Sequence, residues 1–181
     1  MSASLAARPP AAPNVTWSVV VEDPAFVPCD ALARPVNEEL RATTTLGRRV
    51  ESCAGPEILA HTGHADRLDV GAAVVTTAGA LEAKLLIHAV VMTREEPVSA
   101  HGVERAMTGV LQRAADWGLR HVAVMPFGLG AGNLDIDRAA RAMVDAIAGW
   151  RPRVLPKTPL QVTFVVETDD EAAAFPRMAS A

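Results

Sequence analysis

Residues 121–147 read HVAVMPFGLGAGNLDIDRAARAMVDAI. Val122 to Met125 is a short apolar run with the length of a buried strand. After Asp135, apolar residues recur at Ile136, Ala139, Ala140, Met143, Val144 and Ile147, and Gly149 stops the pattern. That spacing predicts one buried stripe along a helix. Between strand and helix lie Gly128, Gly130 and Gly132, alternating with Leu129 and Ala131. The stretch is therefore a strand, a glycine loop and a helix in series.

The same alternation runs outward in both directions. Val15 to Val21, Ala72 to Thr77, Leu85 to Val91 and Val162 to Val166 are further short apolar runs. After Ser99, a helical stripe runs through Val103, Ala106, Met107, Val110, Leu111, Ala114 and Trp117, and Gly118 ends it. Leu46 to Ala54 and Glu57 to His64 predict two helical pieces punctuated by Gly55-Pro56, and a last helix follows Thr168-Asp169. Strands alternating with helices predict an α/β fold of three α/β/α layers, with a mixed, mostly parallel sheet and helices on both faces. Ligands of such folds bind beyond the carboxyl ends of the strands.

The chain has 181 residues and a formal charge of −4; half of it is apolar and only 4% aromatic. Mean hydropathy is +0.18. This suits one domain with an ample core. Residues 1–14, rich in Ala, Ser and Pro, are expected to be a flexible tail without the features of a signal peptide. Residues 15–178 are expected to form the single domain. No apolar run approaches the ~20 residues of a membrane span, so no membrane partner is expected. The acidic balance argues against broad nucleic-acid binding. Cys29 and Cys53 make no disulfide framework, and a reducing, cytoplasmic setting is expected.

The glycine loop has two readings: a cradle of peptide N–H groups for phosphate, or a tight turn needing glycine for its geometry. No Gly-Lys-Ser/Thr follows, so it is not a P-loop, and its place late in the chain does not suit a dinucleotide fingerprint. His61 and His64 lack a third ligand in the pattern, so no metal is expected. His88, inside an apolar run, reads as a core histidine bonded to backbone. Its pairing with Cys53 as nucleophile and base has no support in the spacing.

The 121–147 stretch resembles the phosphate loop and following helix of macrodomains, the ADP-ribose-binding and Appr-1''-p processing family. Upstream, DVGAAVVTTAGALEAKLLIHAV (69–90) is similar to the family's strand, turn and strand ending Ile-His. CDALARPVNEEL (29–40) resembles Val-Asp-Ala-Ile-Val-Asn-Ala-Ala-Asn, with Asp30, Ala31 and Asn37 in matching places. VTFVVETDDEAAAF (162–175) is similar to the closing strand and helix.

The resemblance implies a binder of ADP-ribose, or of a related adenine diphosphate free or attached to protein or nucleotide, with no cofactor. It implies Asp23 as acceptor for the adenine amino group; the plainer reading is turn chemistry at Asp23-Pro24. It implies Asn37 as a ligand to the distal ribose and as the catalytic residue of any hydrolysis; the plainer reading is a cap. It gives the diphosphate role to Gly128, Gly130, Ala131 and Gly132, with Leu129 and Asn133 as further ligand-binding candidates in the same loop; Asn133 or Leu134 stands where relatives often place an aromatic ring against the distal ribose.

Departures from the pattern are plain. Pro24 has no N–H to offer the base. Arg34 replaces the segment's earlier Asn. Where relatives carry a first run of glycines, this chain has Arg41-Ala42-Thr43-Thr44-Thr45. Thr44 and Thr45 are candidate hydroxyl donors to phosphate, or simply a helix start. Glu167 stands where a stacking ring is expected, and Phe127 is the nearest substitute. These departures leave two alternatives to binding: ADP-ribosyl hydrolysis, and a protein-interaction module that has lost its ligand.

Overall fold

The computed structural model describes residues 14–62, 67–130, 134–152 and 158–179. Six strands form one sheet: β1 (Val15–Val21), β2 (Ala31–Asn37), β3 (Ala73–Thr77), β4 (Leu85–Met92), β5 (His121–Val124) and β6 (Leu160–Val166). Their order across the sheet is β1-β6-β5-β2-β4-β3. All neighbours are parallel except β3, which pairs antiparallel with β4. The mixed, mostly parallel sheet expected from the alternation is the one observed.

The helices are α1 (Thr45–Ala54), α2 (Glu57–Thr62), α3 (Ala100–Asp116), α4 (Ile136–Gly149) and α5 (Asp169–Ala179), with a 3-10 turn at Pro24–Phe26. Helices α3, α4 and α5 cover one face, where Val103, Met107, Met143, Ile147 and Phe175 meet Val19, Ala33, Ile87, Val124 and Phe164. On the other face, Val50 of α1 and Ile58 of α2 pack on Leu32, Leu86, Ala123 and Val165. Successive residues of each strand alternate between the two faces. Covering both faces explains why the strands read as unbroken apolar runs. Among the described residues no helix is long and apolar enough to cross a membrane. Cys29 is buried and Cys53 exposed, both as free thiols.

β2 stands where no unbroken apolar run marks a strand, because Arg34 and Pro35 interrupt it. It is nevertheless central, between β5 and β4. β5 pairs with β2 only over Ala31–Ala33, and Met125 N–H closes on the Ala33 carbonyl at 3.0 Å. Pro35 turns its nitrogen to the same side as Ala33, past the last bond to β5. Its missing donor therefore breaks no ladder.

The start of β2 is tied to two neighbours. The Asp30 carboxylate accepts from the Arg120 and His121 N–H groups, each at 3.0 Å, and from Lys84 Nζ at 2.8 Å. These bonds, led by Lys84, lower its pKa to about 2. Asp30 thus sits at the amino-terminal edge of the sheet, opposite the end where ligands bind. His121 Nε2 meets Thr163 Oγ1 at 3.0 Å, and burial lowers the imidazole pKa.

Candidate functional site

At the carboxyl ends of β1, β2 and β5, three loops converge. After β1, Asp23 caps the 3-10 turn by accepting from Ala25 N–H at 3.1 Å, so the turn reading of Asp23-Pro24 describes its Oδ1. Its Oδ2 pairs with Arg49 of α1. Both carboxylate oxygens thus have protein partners. Phe26, in the same turn, is 65% exposed. It is an exposed aromatic residue in the turn that Asp23 caps, and nothing in the local sequence distinguishes it from a core phenylalanine.

After β2, Asn37 organises a tight loop. Its Oδ1 accepts from Glu39 N–H and Arg41 N–H, each at 3.0 Å. A carbonyl oxygen has two acceptor sites, and both are taken, so what Asn37 can offer a ligand is its Nδ2 donors. The loop carries Leu40 at φ 62°, a left-handed conformation that costs a non-glycine residue energy. The Leu40 side chain is buried, and a bridge between Val36 and Ala42 closes the base.

The threonines continue that loop into α1. Thr44 is the helix cap, its Oγ1 accepting from Gly47 N–H at 2.9 Å. Thr45 Oγ1 accepts from Arg48 at 3.0 Å. The helix-start reading is therefore realised, and it also aims the positive end of the α1 dipole into the site.

Opposite stands the loop after β5. Gly128 has φ 84° and Gly130 φ 69°, so both need glycine for backbone reasons. They differ in surroundings. A Cβ on Gly128 would lie 2.8 Å from Leu134 and 3.0 Å from Val103, inside the packing, and the Gly128 carbonyl accepts from Leu134 N–H at 3.2 Å. Gly130 is exposed; a Cβ there would lie 3.3 Å from Thr44 Cγ2 and 3.7 Å from the Thr43 carbonyl. The turn reading accounts for Gly128, while Gly130 brings bare backbone up to the start of α1. Leu129 between them is half-buried. Ala131, Gly132 and Asn133 lie outside the described residues.

Phe127 is not the substitute stacking ring expected of it. It is completely buried among Val103, Val124 and Met143, and its N–H donates to Met143 Sδ at 3.4 Å. Its ring belongs to the core below the loop and cannot stack on a base. Glu167 is exposed after β6, its N–H bonded to Glu171 Oε2 at 2.9 Å.

Arg34 is the residue whose importance local reading missed. It is completely buried. Nε donates to His88 Nδ1 at 3.0 Å, Nη1 to Glu51 Oε1 at 2.5 Å and Nη2 to the Leu40 carbonyl at 3.1 Å. Glu51 Oε1 also accepts from Ala42 N–H at 3.0 Å. Because His88 Nδ1 accepts, Nε2 carries the ring proton and faces Thr76 Oγ1 at 2.7 Å. The core-histidine reading of His88 holds for its burial, but its partners here include the side chains of Arg34 and Thr76. Burial lowers the Arg34 pKa, and Glu51 acts against that shift. Among the described residues no group of three or more His, Cys, Asp or Glu could hold a metal; His64 lies outside them.

Comparison with known proteins places this geometry. Residues 33–143 match the model of the Macro domain family. An uncharacterized protein of Mycobacterium tuberculosis is 33% identical over 146 residues, 81% of this chain and 40% of the relative. An uncharacterized protein of Aquifex aeolicus is 32% identical over 148 residues, 80% of this chain and 86% of the relative. The chain thus spans about two fifths of the length of the mycobacterial relative. Among solved structures, the Oceanobacillus iheyensis macrodomain with ADP superposes with a TM-score of 0.82 at 16% identity, covering 99% of this chain and 96% of the other. The Trypanosoma brucei macrodomain in complex with ADP-ribose gives 0.76 at 15% identity, covering 89% and 68%. With strand, glycine loop and helix in the matched segment, and with the whole sheet superposing, this chain belongs to the Macro domain family.

Proposed function

We propose that this chain binds ADP-ribose, or a ligand carrying that group, in the cleft between the Gly128–Gly130 loop and the Thr43–Thr45 start of α1. One observation carries the reading: Gly130 brings exposed, left-handed backbone against a helix N-terminus. Peptide N–H groups and the α1 dipole then act together on a diphosphate. Arg48 and Arg49 on the first turns of α1 add positive charge nearby. Asn37 supplies Nδ2 donors to ribose hydroxyls. The related structures with ADP and with ADP-ribose support this ligand class.

Binding is favoured over hydrolysis by the state of Asn37. A hydrolytic role would ask its carbonyl to accept a hydrogen bond from the attacking water and so orient it, and Oδ1 already holds two N–H groups. The adenine end differs from the pattern too, since Asp23 is paired with Arg49 and Pro24 lacks an N–H.

Calorimetric titration with ADP-ribose, with AMP as control, tests the reading. The expected result is micromolar binding of ADP-ribose, well above AMP. Gly130→Glu places a carboxylate in the cradle at a strained φ, and is expected to weaken ADP-ribose by at least about a hundredfold while the chain stays folded. Equal affinity in that variant would exclude the cleft as the site.

A further inference from the structure

The loop that forms one wall of the cleft is held from below by a buried cation. β2 and β4 run side by side with Leu32 opposite Leu86, Arg34 opposite His88 and Val36 opposite Val90. All six side chains face the α1 side of the sheet. The apolar ones fall into two separate clusters, one around Leu32, Leu86 and Val50, the other around Val36, Leu40 and Val90. The Arg34–His88 row lies between them, and Thr76 of β3 extends it. An apolar pair in that row would have joined the clusters, and burying a guanidinium there is costly unless every donor is matched.

The partners chosen by Arg34 explain what the cost achieves. They come from three places: His88 on β4, Glu51 on α1 and the Leu40 carbonyl in the wall loop. Glu51 then reaches back to Ala42 N–H in the same loop. The loop is thus tied at Leu40, its strained residue, and at Ala42, immediately before the Thr43 carbonyl and the Thr44 side chain that face Gly130. A planar fork with fixed directions does this in a way a flexible ammonium cannot.

We infer that Arg34, acting with Glu51, is the positioning residue of the cleft: it sets the Leu40–Thr44 wall at its distance from the Gly128–Gly130 loop, and so sets affinity without touching ligand. This rests on the cleft being the ADP-ribose site.

Two variants and two readouts test it. R34M/E51L removes both charges together, which avoids leaving one buried ion alone. R34K keeps a charge opposite Glu51 but cannot bridge the three acceptors. Both are expected to weaken ADP-ribose by about tenfold or more under conditions where the chain is folded, and to speed hydrogen exchange at the Ala42 amide by about as much. E51Q keeps an acceptor for Ala42 N–H and Arg34, and is expected to lose thermal stability while holding Kd within about twofold of the parent. A purely structural ion pair predicts otherwise: every folded variant would share the parent Kd and the parent exchange rate, and that result overturns the inference. If the parent chain binds no ADP-ribose, the proposed ligand is excluded. The positioning role is then decided by the Ala42 amide alone, and unchanged exchange in R34K overturns it.

Discussion

On the face covered by α3, α4 and α5, the buried strand side chains among the described residues are apolar from β1 to β3. Their one buried polar atom without a hydrogen-bond partner is the Trp17 indole nitrogen. On the face covered by α1 and α2, two polar rows cross the sheet. One is Arg34–His88–Thr76; the other is Ser18–Thr163–His121, with contacts of 3.4 and 3.0 Å. Apolar packing is non-directional and tolerates small shifts. Hydrogen bonds fix direction and distance, and an unmatched partner is expensive. The first face therefore supplies stability, and the second supplies position, on the side from which α1 and the wall loop are hung.

Three substitutions sharpen that contrast. Phe164, completely buried, packs against Phe175 with ring centroids 4.4 Å apart and against Trp17 at 5.9 Å. Phe164→Ala is expected to cost about 3–5 kcal/mol in urea unfolding, with ADP-ribose affinity of the folded chain unchanged. A matching loss of affinity would mean that the two faces are not separable.

Arg34→Met is expected to cost about 3 kcal/mol, because it leaves the partly buried Glu51 carboxylate without its countercharge and takes the Arg34 donor from the Leu40 carbonyl. Stability at the parent level would show that the polar row is as forgiving as an apolar one.

Asp30→Asn gives the smallest effect, about 1 kcal/mol at neutral pH, since the Lys84 partner is 76% exposed and screened. The sign with pH follows from the lowered pKa. Asp30 stabilises the fold fully above its unfolded value of 3.8 and loses that contribution as pH falls toward about 2. Urea midpoints of the parent and Asp30→Asn should therefore differ at pH 7 and converge near pH 2. A constant gap would remove Asp30 from the acid response. His121 adds to acid lability from higher pH, because its lowered pKa makes the folded state resist a proton that the unfolded chain accepts.

Much of the architecture was legible in advance. The stripes of α3 and α4 and the apolar runs of β1, β4, β5 and β6 follow from periodicities of a few residues. β2 was not legible as a strand, because Arg34 and Pro35 hide it from any apolar pattern; the 29–40 segment stood out only by its resemblance to a family sequence. Of the candidate residues, Asp23, Asn37, Thr44 and Gly130 do gather at one end of the sheet. Phe127 does not, because its run faces the core on the side that packs against α3 and α4.

By itself the sequence determined what depends on neighbours along the chain: where helices start and stop, which runs are covered on both faces, and that a glycine loop joins β5 to α4. Only the tertiary structure decided who faces whom. Arg34 meets Glu51 and His88, and Asp23 meets Arg49, across separations that no local period encodes. Strand order brings these residues together. Once buried, each polar group must find a partner wherever the fold places one, and so the same Arg34 that interrupts a sequence pattern becomes the tie beneath the cleft.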